Sequence, residues 1–310
     1  MYNPIKPSNA QILNLIKKTW SSPYLAVTSS TYAIFKRKFD YEEVDHTDGI
    51  GTKGYYHWKR RTFKNAVIDA LAMNLNDLAM VGAIPYKLQN HIVLPKDDTE
   101  AVVKIVSFLA KECIKRRIAI TGGETSIQDI SDGVDISITV SGFIKKRKVN
   151  KFKVGDVLIG FPSSGLHSNG LTKVREVFKK EIRKEFTVPT KIYSDTLLPL
   201  FKKYDLHGRM HITGGAFTKL KNLLINTDAI ITNAHSLKPQ PIFYELYKKG
   251  VADKDMYRIF NCGIGFVISV GPKNAKAVLA ETKGQIIGEI VKGKGKVRID
   301  SMFTNKKIEL

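Results

Sequence analysis

The chain has 310 residues, 43% of them hydrophobic and 25% charged. That is enough apolar sequence for one large domain or two medium ones, and it excludes disorder as the main state. Its 23 Gly and 11 Pro exclude collagen-like and low-complexity chains, and its 2 cysteines, Cys113 and Cys262, cannot build a disulfide framework. The net charge of +21 is carried by 39 Lys and 11 Arg spread along the chain. It fits a nucleic-acid partner or a lysine-rich solvated surface. No nucleic-acid motif accompanies the lysines, so the solvated surface is preferred and nucleic acid is not an expected partner. The opening MYNPIKPSNA lacks a signal-peptide pattern and no apolar run is long enough to span a membrane, so the cytoplasm is the expected compartment.

The predicted elements alternate strands and helices. Residues 43–47 read as a strand before a Gly-rich turn. Residues 65–81 carry Val67, Ala70, Leu71, Leu75 and Leu78 at helical spacing, with Gly82 suited to a left-handed cap and Pro85 beyond it. A strand follows at 86–94, a helix at 98–116, a short buried strand at 118–121 and an alternating strand at 134–143. The basic segment 144–151 divides the chain into expected domains 1–150 and 151–310. In the second, strands are expected at 156–161, 229–232, 265–270, 285–291 and 296–300. Helices are expected at 170–184, 190–204, 214–225, 240–249 and 272–282. This order predicts an α+β fold of two domains: a mixed sheet with helices, then an α/β sandwich-like domain.

Four stretches carry residues suited to chemistry. In Thr47-Asp48-Gly49-Ile50-Gly51-Thr52-Lys53, a carboxylate, two glycines and a lysine share what reads as one tight turn. Asp48 suits Mg²⁺, the glycines suit close backbone approach, and Lys53 suits a polyphosphate; a solvated Gly-rich turn is the plainer alternative. Asn74 and Asp77 share a helical face, and Asp77 sits near a helix C-terminus, where the dipole disfavours an acid unless a cation compensates. Thr121-Gly122-Gly123-Glu124-Thr125 places two glycines and a further carboxylate at an apparent strand end. Ser163-Ser164-Gly165-Leu166-His167-Ser168-Asn169-Gly170 lies between a strand and a helix, where hydroxyls, an amide, an imidazole and exposed N–H groups suit an anion; a polar loop with a helix cap is the alternative. His211-Ile212-Thr213-Gly214-Gly215-Ala216 and the run from Met256 to Gly265 also stand out. His57, His91, His207 and His235 have no local partner in the sequence and read as structural or exposed, and Cys262 reads as a small buried residue.

In this order the segments resemble the phosphoribosylformylglycinamidine cyclo-ligase (AIR synthetase) family, within a superfamily of ATP-using synthetases and kinases. Asp77, Gly82, Ala83 and Pro85 meet the superfamily pattern D-x4-G-A-x-P. The strings TDGIGTK, SSGLHSNG, HITGGAF, MYRIFNCGIG and Pro189-Thr190-Lys191-Ile192-Tyr193 resemble the family in particular. The resemblance covers residues 42–295. It implies an enzyme that uses ATP and Mg²⁺ to close the imidazole ring of a phosphorylated purine precursor, formylglycinamidine ribonucleotide, and that acts as a homodimer with joined N-terminal sheets.

The expected catalytic set under this resemblance is Asp48, Lys53, Asp77, Glu124 and His167, with Asp48, Asp77 and Glu124 on the metal. Thr47, Gly49, Gly51, Thr52, Asn74, Gly122 and Gly123 are expected at the nucleotide, and Ser163, Ser164, Ser168, Asn169 and His211 at the substrate. The alternatives are a sister phosphoryl-transfer enzyme with another small substrate, or a basic nucleic-acid-binding protein. Residues 20–40 lack the family's glycine loop. Trp20, Tyr24, Tyr32 and Phe35, interleaved with Ser21, Ser22, Ser29 and Ser30 and followed by Lys36-Arg37-Lys38, are expected to form a closing lid.

Overall fold

A computed structural model describes residues 7–28 and 33–310. The chain divides into two compact units. The described residues up to Leu78 with Ala83–Lys146 form one; Ala79–Gly82 with Arg147–Leu310 form the other. The break after Lys146 falls inside the basic segment.

The first unit runs α1 (Pro7–Lys17), β1 (Leu25–Val27), β2 (Phe35–Arg37), β3 (Glu42–Gly49), α2 (Lys53–Arg60), α3 (Phe63–Met80), β4 (Ile84–Leu94), α4 (Thr99–Arg116), β5 (Ala119–Ile127) and β6 (Asp135–Ile144). Its main sheet has the order β3-β6-β4-β5. Only β4 and β5 are parallel, joined by α4 as a crossover helix. One face carries Leu88, Ile92, Ile136, Ile138 and Val140, all buried. The other carries Thr47, Lys87, Gln89, His91, Ser137 and Thr139, as the period-2 alternation of strands requires.

The second unit runs β7 (Val157–Pro162), α5 (Leu171–Phe178), α6 (Ser194–Lys203), β8 (Leu206–His211), β9 (Thr227–Ile231), α7 (Pro241–Lys248), α8 (Asp253–Ile259), β10 (Ile264–Val270), α9 (Pro272–Ala280), β11 (Gln285–Lys292), β12 (Val297–Asp300) and β13 (Lys307–Glu309). Its seven-stranded sheet has the order β13-β12-β9-β11-β7-β10-β8 and is mixed, with β12 and β9 parallel. Phe161, Leu197, Leu200, Phe201, Phe266 and Ile268 form part of one core cluster. The fold is therefore α+β in two units, as expected.

Several local expectations change. The turn expected from Gly49 onward starts later, because β3 continues through Gly49, and an unpredicted two-turn helix, α2, begins at Lys53. The strand expected to stop at residue 121 runs to Ile127, because β5 stays paired with β4 through Gly122, Gly123 and Glu124. Residues 170–184 give only the short helix α5, and residues 216–223 form 3-10 turns. β8 and α8 were not anticipated. The proposed lid is also revised. Trp20, Tyr24 and Phe35 pack with Leu25, Tyr86, Ala119 and Phe143, and Trp20 Nε1 donates to the Ile120 carbonyl at 2.7 Å. These rings are anchored on the first unit; Ser29, Ser30 and Tyr32 lie outside the described residues.

Candidate active site

The acidic corner of the first unit is built by β3 and α3. His46 and Asp48 are two apart on a strand and face the same side, toward α3. Asn74 is fully buried on α3. Its Nδ2 donates to the Asp48 carbonyl at 3.1 Å and to the Ala70 carbonyl at 2.9 Å. Its Oδ1 is thereby turned to His46 Nδ1, 3.0 Å away. His46 Nε2 lies 3.4 Å from Asp77 Oδ2. The hydrogen-bonding Asp77 carboxylate raises the His46 pKa above the ordinary histidine value, partly opposed by burial. Asp48 Oδ1 accepts from the Gly49 N–H at 2.7 Å. His46 was not singled out from the sequence; its place two residues before Asp48 on one strand face was the available signal.

Three predicted roles need correction. Lys53 does not stand beside Asp48. Its ammonium is buried at the start of α2, 2.9 Å from the carboxylate of Asp69, which is itself buried. Burial lowers the Lys53 pKa, with Asp69 opposing the shift. His57 joins the cluster through Nε2 to Asp69 at 2.9 Å and Nδ1 to the Thr62 hydroxyl at 2.8 Å, so it is a paired buried imidazole. A buried ammonium needs a buried anion, and Asp69 supplies it in place of a polyphosphate. The second correction is Glu124. It lies on β5, at the opposite sheet edge from β3. Asp48 aligns through Ile138 and Asn90 with Gly123, so Glu124 points to the other face. Three strand spacings of about 4.8 Å put the two strands about 14 Å apart. Asp48 and Glu124 of one chain therefore cannot share one ion. Thirdly, Thr47 faces away from Asp48 and meets the Thr139 hydroxyl at 2.9 Å. Gly51 and Thr52 occupy the turn before α2, while Gly122 and Gly123 lie inside the ladder opposite Gln89 and Asn90.

The second unit collects four sequence motifs around Tyr193. The His167 and His211 rings are both buried, each with its centroid 6.2 Å from that of Tyr193. His211, the last residue of β8, stacks on Phe266 at 5.9 Å. Tyr193 donates its hydroxyl proton to the Pro162 carbonyl at 3.0 Å, and burial pushes its phenol pKa upward. Lys191 Nζ donates to the same carbonyl at 2.9 Å, its pKa lowered by burial and then by Lys283. Gly265 makes this packing possible: a Cβ there would lie 2.0 Å from the Tyr193 hydroxyl and 2.5 Å from His167 Cε1.

The loop before α5 is held from several sides. The Ser164 N–H donates to His167 Nε2 at 3.1 Å, and the Ser164 hydroxyl to the Pro189 carbonyl at 2.5 Å. Ser168 and Thr190 hydroxyls meet at 3.1 Å. Asn169 Nδ2 donates to the Ile259 carbonyl at 2.5 Å. The Ser163 hydroxyl reaches Gln240 Oε1 at 3.3 Å. Asn261 Nδ2 donates to the Gly165 and Leu166 carbonyls at 2.8 and 3.3 Å. His167, Ala216 and Cys262 carry φ of +60°, +41° and +45°. Such conformations cost roughly 1–3 kcal/mol each and cluster where function fixes a geometry. Tyr193, Lys191, Asn261 and Gly265 lie within the family-like strings, but no local pattern marks them as site residues. Cys262 is buried as expected, and burial drives its thiol pKa up.

Two sequence profiles match the chain: AIR synthase related protein, N-terminal domain, over residues 31–144, and AIR synthase related protein, C-terminal domain, over residues 153–300. The chain belongs to the AIR synthase related family. Among curated relatives, the phosphoribosylformylglycinamidine cyclo-ligase of Methanococcoides burtonii is 35% identical over 272 residues, covering 81% of this chain and 80% of the relative. That of Saccharolobus solfataricus is 36% identical over 262 residues, covering 81% and 79%. That of Clostridium perfringens is 35% identical over 288 residues, covering 87% and 86%. Among solved structures, Hydrogenase Maturation Protein HypE in complex with ATP is similar with a TM-score of 0.71 at 16% identity, covering 99% of this chain and 95% of that one. Thiamine-monophosphate kinase from Stenotrophomonas maltophilia gives 0.65 at 17% identity, covering 96% of each chain. At these identities the structural matches show the shared fold alone.

Proposed function

We infer that this AIR synthase related protein is a phosphoribosylformylglycinamidine cyclo-ligase of purine biosynthesis, closing the ring of formylglycinamidine ribonucleotide with ATP. The observation that carries the reading is the similarity to curated cyclo-ligases along most of both chains. In the reaction the formyl amide oxygen takes the γ-phosphoryl group of ATP, giving an iminophosphate and ADP. The amidine nitrogen then attacks that carbon, phosphate leaves with the oxygen, and loss of a proton gives the aminoimidazole. No protein nucleophile is needed; the demand is for positioning and charge neutralisation.

We assign these tasks by chemistry. Asp48 and Asp77 offer hard oxygen donors at the half-exposed acidic corner and suit Mg²⁺, which commonly keeps waters and takes one or two carboxylates plus phosphate oxygens. Among the described residues no three or more His, Cys, Asp or Glu side chains gather so as to hold a metal ion by themselves. Bound there, Mg²⁺ would neutralise charge on the polyphosphate. Asn74 holds the Asp48 backbone. In the second unit, the serine, asparagine and backbone donors of 163–170 suit the phosphorylated precursor, and buried His167 and His211 suit hydrogen bonds to its amide and amidine. A homodimer and a cytoplasmic setting remain part of this proposal. No helix among the described residues is long and apolar enough to cross a membrane. The test is direct: purified protein, formylglycinamidine ribonucleotide and Mg-ATP should yield aminoimidazole product and ADP in equal amounts. Absence of product across pH and cation conditions would overturn the reading.

A further inference from the structure

β8, which ends in His211, is the last strand of the second unit's sheet. On one side it pairs with β10, where Phe266 stands opposite His211 and Ile268 opposite Arg209. On the other side no strand follows, and an edge left open in this way is loosely held. Side chains take the place of the missing strand. Asn150 Oδ1 accepts from the Arg209 N–H at 2.8 Å, and Asn150 Nδ2 donates to the Arg209 carbonyl at 2.9 Å. Two residues on, the His211 N–H donates to Met80 Sδ at 3.4 Å. A thioether is a weak acceptor, so this contact depends on Met80 being fixed by something else.

The Arg209 side chain supplies that fixture. It is 1% exposed. Nε donates to the Met80 carbonyl at 2.7 Å and Nη1 to the Leu206 carbonyl at 2.6 Å. Nη2 donates to the Val149 and Lys148 carbonyls at 3.2 and 3.4 Å. The guanidinium carbon lies 4.7 Å from the Phe201 ring centroid, and a Cβ at Gly82 would lie 2.4 Å from the same ring. All of these residues belong to the second unit. A buried cation is costly unless its donors are met, and a planar fork meets several carbonyls at once. An apolar residue would fill a core position without that cost. What the fork holds accounts for its presence: Met80 itself, and the residue just before Asn150.

We propose that Arg209 is a positioning residue for His211. Its guanidinium holds the Met80 and Lys148–Val149 segments, and these segments supply the groups that close the free edge of β8. His211, at the end of that strand, is thereby set beside Tyr193 and Phe266 to meet the precursor. The inference rests on the assignment of His211 to the precursor.

The experiment uses the full chain with ¹⁵N- and ¹³C-labelled histidine, its imidazole signals assigned with His211→Gln and His167→Gln. Arg209→Lys keeps the charge and loses the fork. In it the His211 signals should shift and broaden while those of His167 stay near the parent's. In the same variant kcat/KM for formylglycinamidine ribonucleotide should fall about tenfold, as a displaced substrate-binding group predicts. The affinity for a non-hydrolysable ATP analogue with Mg²⁺ should hold. Met80→Leu, which keeps the bulk and removes the sulfur, should move the His211 signals by a smaller amount, and it decides the matter if Arg209→Lys does not fold. A lowered melting temperature with His211 signals and kcat/KM like the parent's would make Arg209 a structural residue only and overturn the proposal. Moved signals with a parent-like kcat/KM would overturn it as well, by taking His211 away from the precursor. A parent that makes no aminoimidazole product would remove the cyclo-ligase reading, and the imidazole signals, which need no substrate, would still decide whether Arg209 sets His211.

Discussion

The acidic corner of the first unit and the histidine loops of the second are built in different ways. The corner stands on regular elements, a strand and a helix, and its His46, Asp48 and Asp77 are partly open to water. The loops bury His167 and His211 completely and hold His167, Ala216 and Cys262 at positive φ. A hydrated cation with a polyphosphate must exchange water for carboxylates, which an open and unstrained site permits. A neutral amide is recognised best by groups removed from water, where an unmade hydrogen bond is costly and discrimination is high. The strain in the second unit is held by a dense set of bonds, among them Asn261 to the Gly165 and Leu166 carbonyls and Tyr193 to Pro162.

The strongest test of this contrast is the buried ion pair that supports the first unit. Lys53→Met should lower stability by about 3–5 kcal/mol, because it leaves Asp69 charged and buried with His57 as its remaining named partner. Urea unfolding reads the loss as a lower midpoint at unchanged slope. Adding Asp69→Leu should recover much of it. An unchanged midpoint with lost nucleotide affinity would return Lys53 to the polyphosphate role its sequence setting suggests. Asp77→Asn should do the reverse. It should leave the urea midpoint close to the parent's and reduce Mg-ATP-dependent turnover by roughly a hundredfold or more, about 3 kcal/mol of lost transition-state stabilisation. Parent-like turnover would make Asp77 a surface acid and remove the corner from the mechanism.

Much of this was legible in the sequence, and the failures share a cause. The order of motifs identified the family, and Asn74 with Asp77 followed from helical spacing. Lys53 was misplaced because its partner Asp69 lies 16 residues on, beyond any local pattern, and because an 8-residue helix is shorter than the stretch over which helical periodicity can be read. Glu124 was misplaced because paired glycines read as a turn, whereas the parallel ladder with β4 carries the strand through them. Thr47 and Asp48 could have been separated by alternation alone, since neighbours on a strand face opposite ways. The gathering of His167, Tyr193, His211 and Gly265 is a tertiary fact, and no spacing in the sequence announces it.

Acid should strain the second unit through His235. Its ring is buried, with a backbone bond to Thr232, and Nδ1 has no hydrogen-bond partner. Burial, with Lys238 adding to it, pushes its pKa down to about 4 from the ordinary 6.5. The unfolded chain therefore takes up this proton near pH 6.5, while the folded chain resists until about pH 4. Protons favour the unfolded state in that window, so this contribution is present above pH 6.5 and is lost as pH falls toward 4, by at most about 3 kcal/mol. His235→Gln should flatten the fall in melting temperature between those limits. An equal fall in parent and variant would assign acid sensitivity to other groups.

The smallest expected effect tests the division of labour most sharply. His167→Ala removes a buried ring that accepts from the Ser164 N–H and lies against Tyr193. The cavity left beside Tyr193 is polar enough for water to replace part of the lost bonding. A buried hydrogen-bonding group at a substrate site is worth about 1–3 kcal/mol, so kcat/KM for the purine precursor should fall about ten- to a hundredfold. The affinity for a non-hydrolysable ATP analogue with Mg²⁺ should stay near the parent's, since the metal ligands proposed above all belong to the first unit. His167→Gln, which keeps an acceptor in place of Nε2, should recover part of the precursor's kcat/KM, whereas a merely space-filling role would be met as well by His167→Leu. A drop in nucleotide affinity with unchanged precursor kinetics would move the 163–170 loop to the nucleotide and invert the comparison. Equal losses for both ligands, with a lowered melting temperature, would make the loop a structural support whose histidine is buried for packing alone.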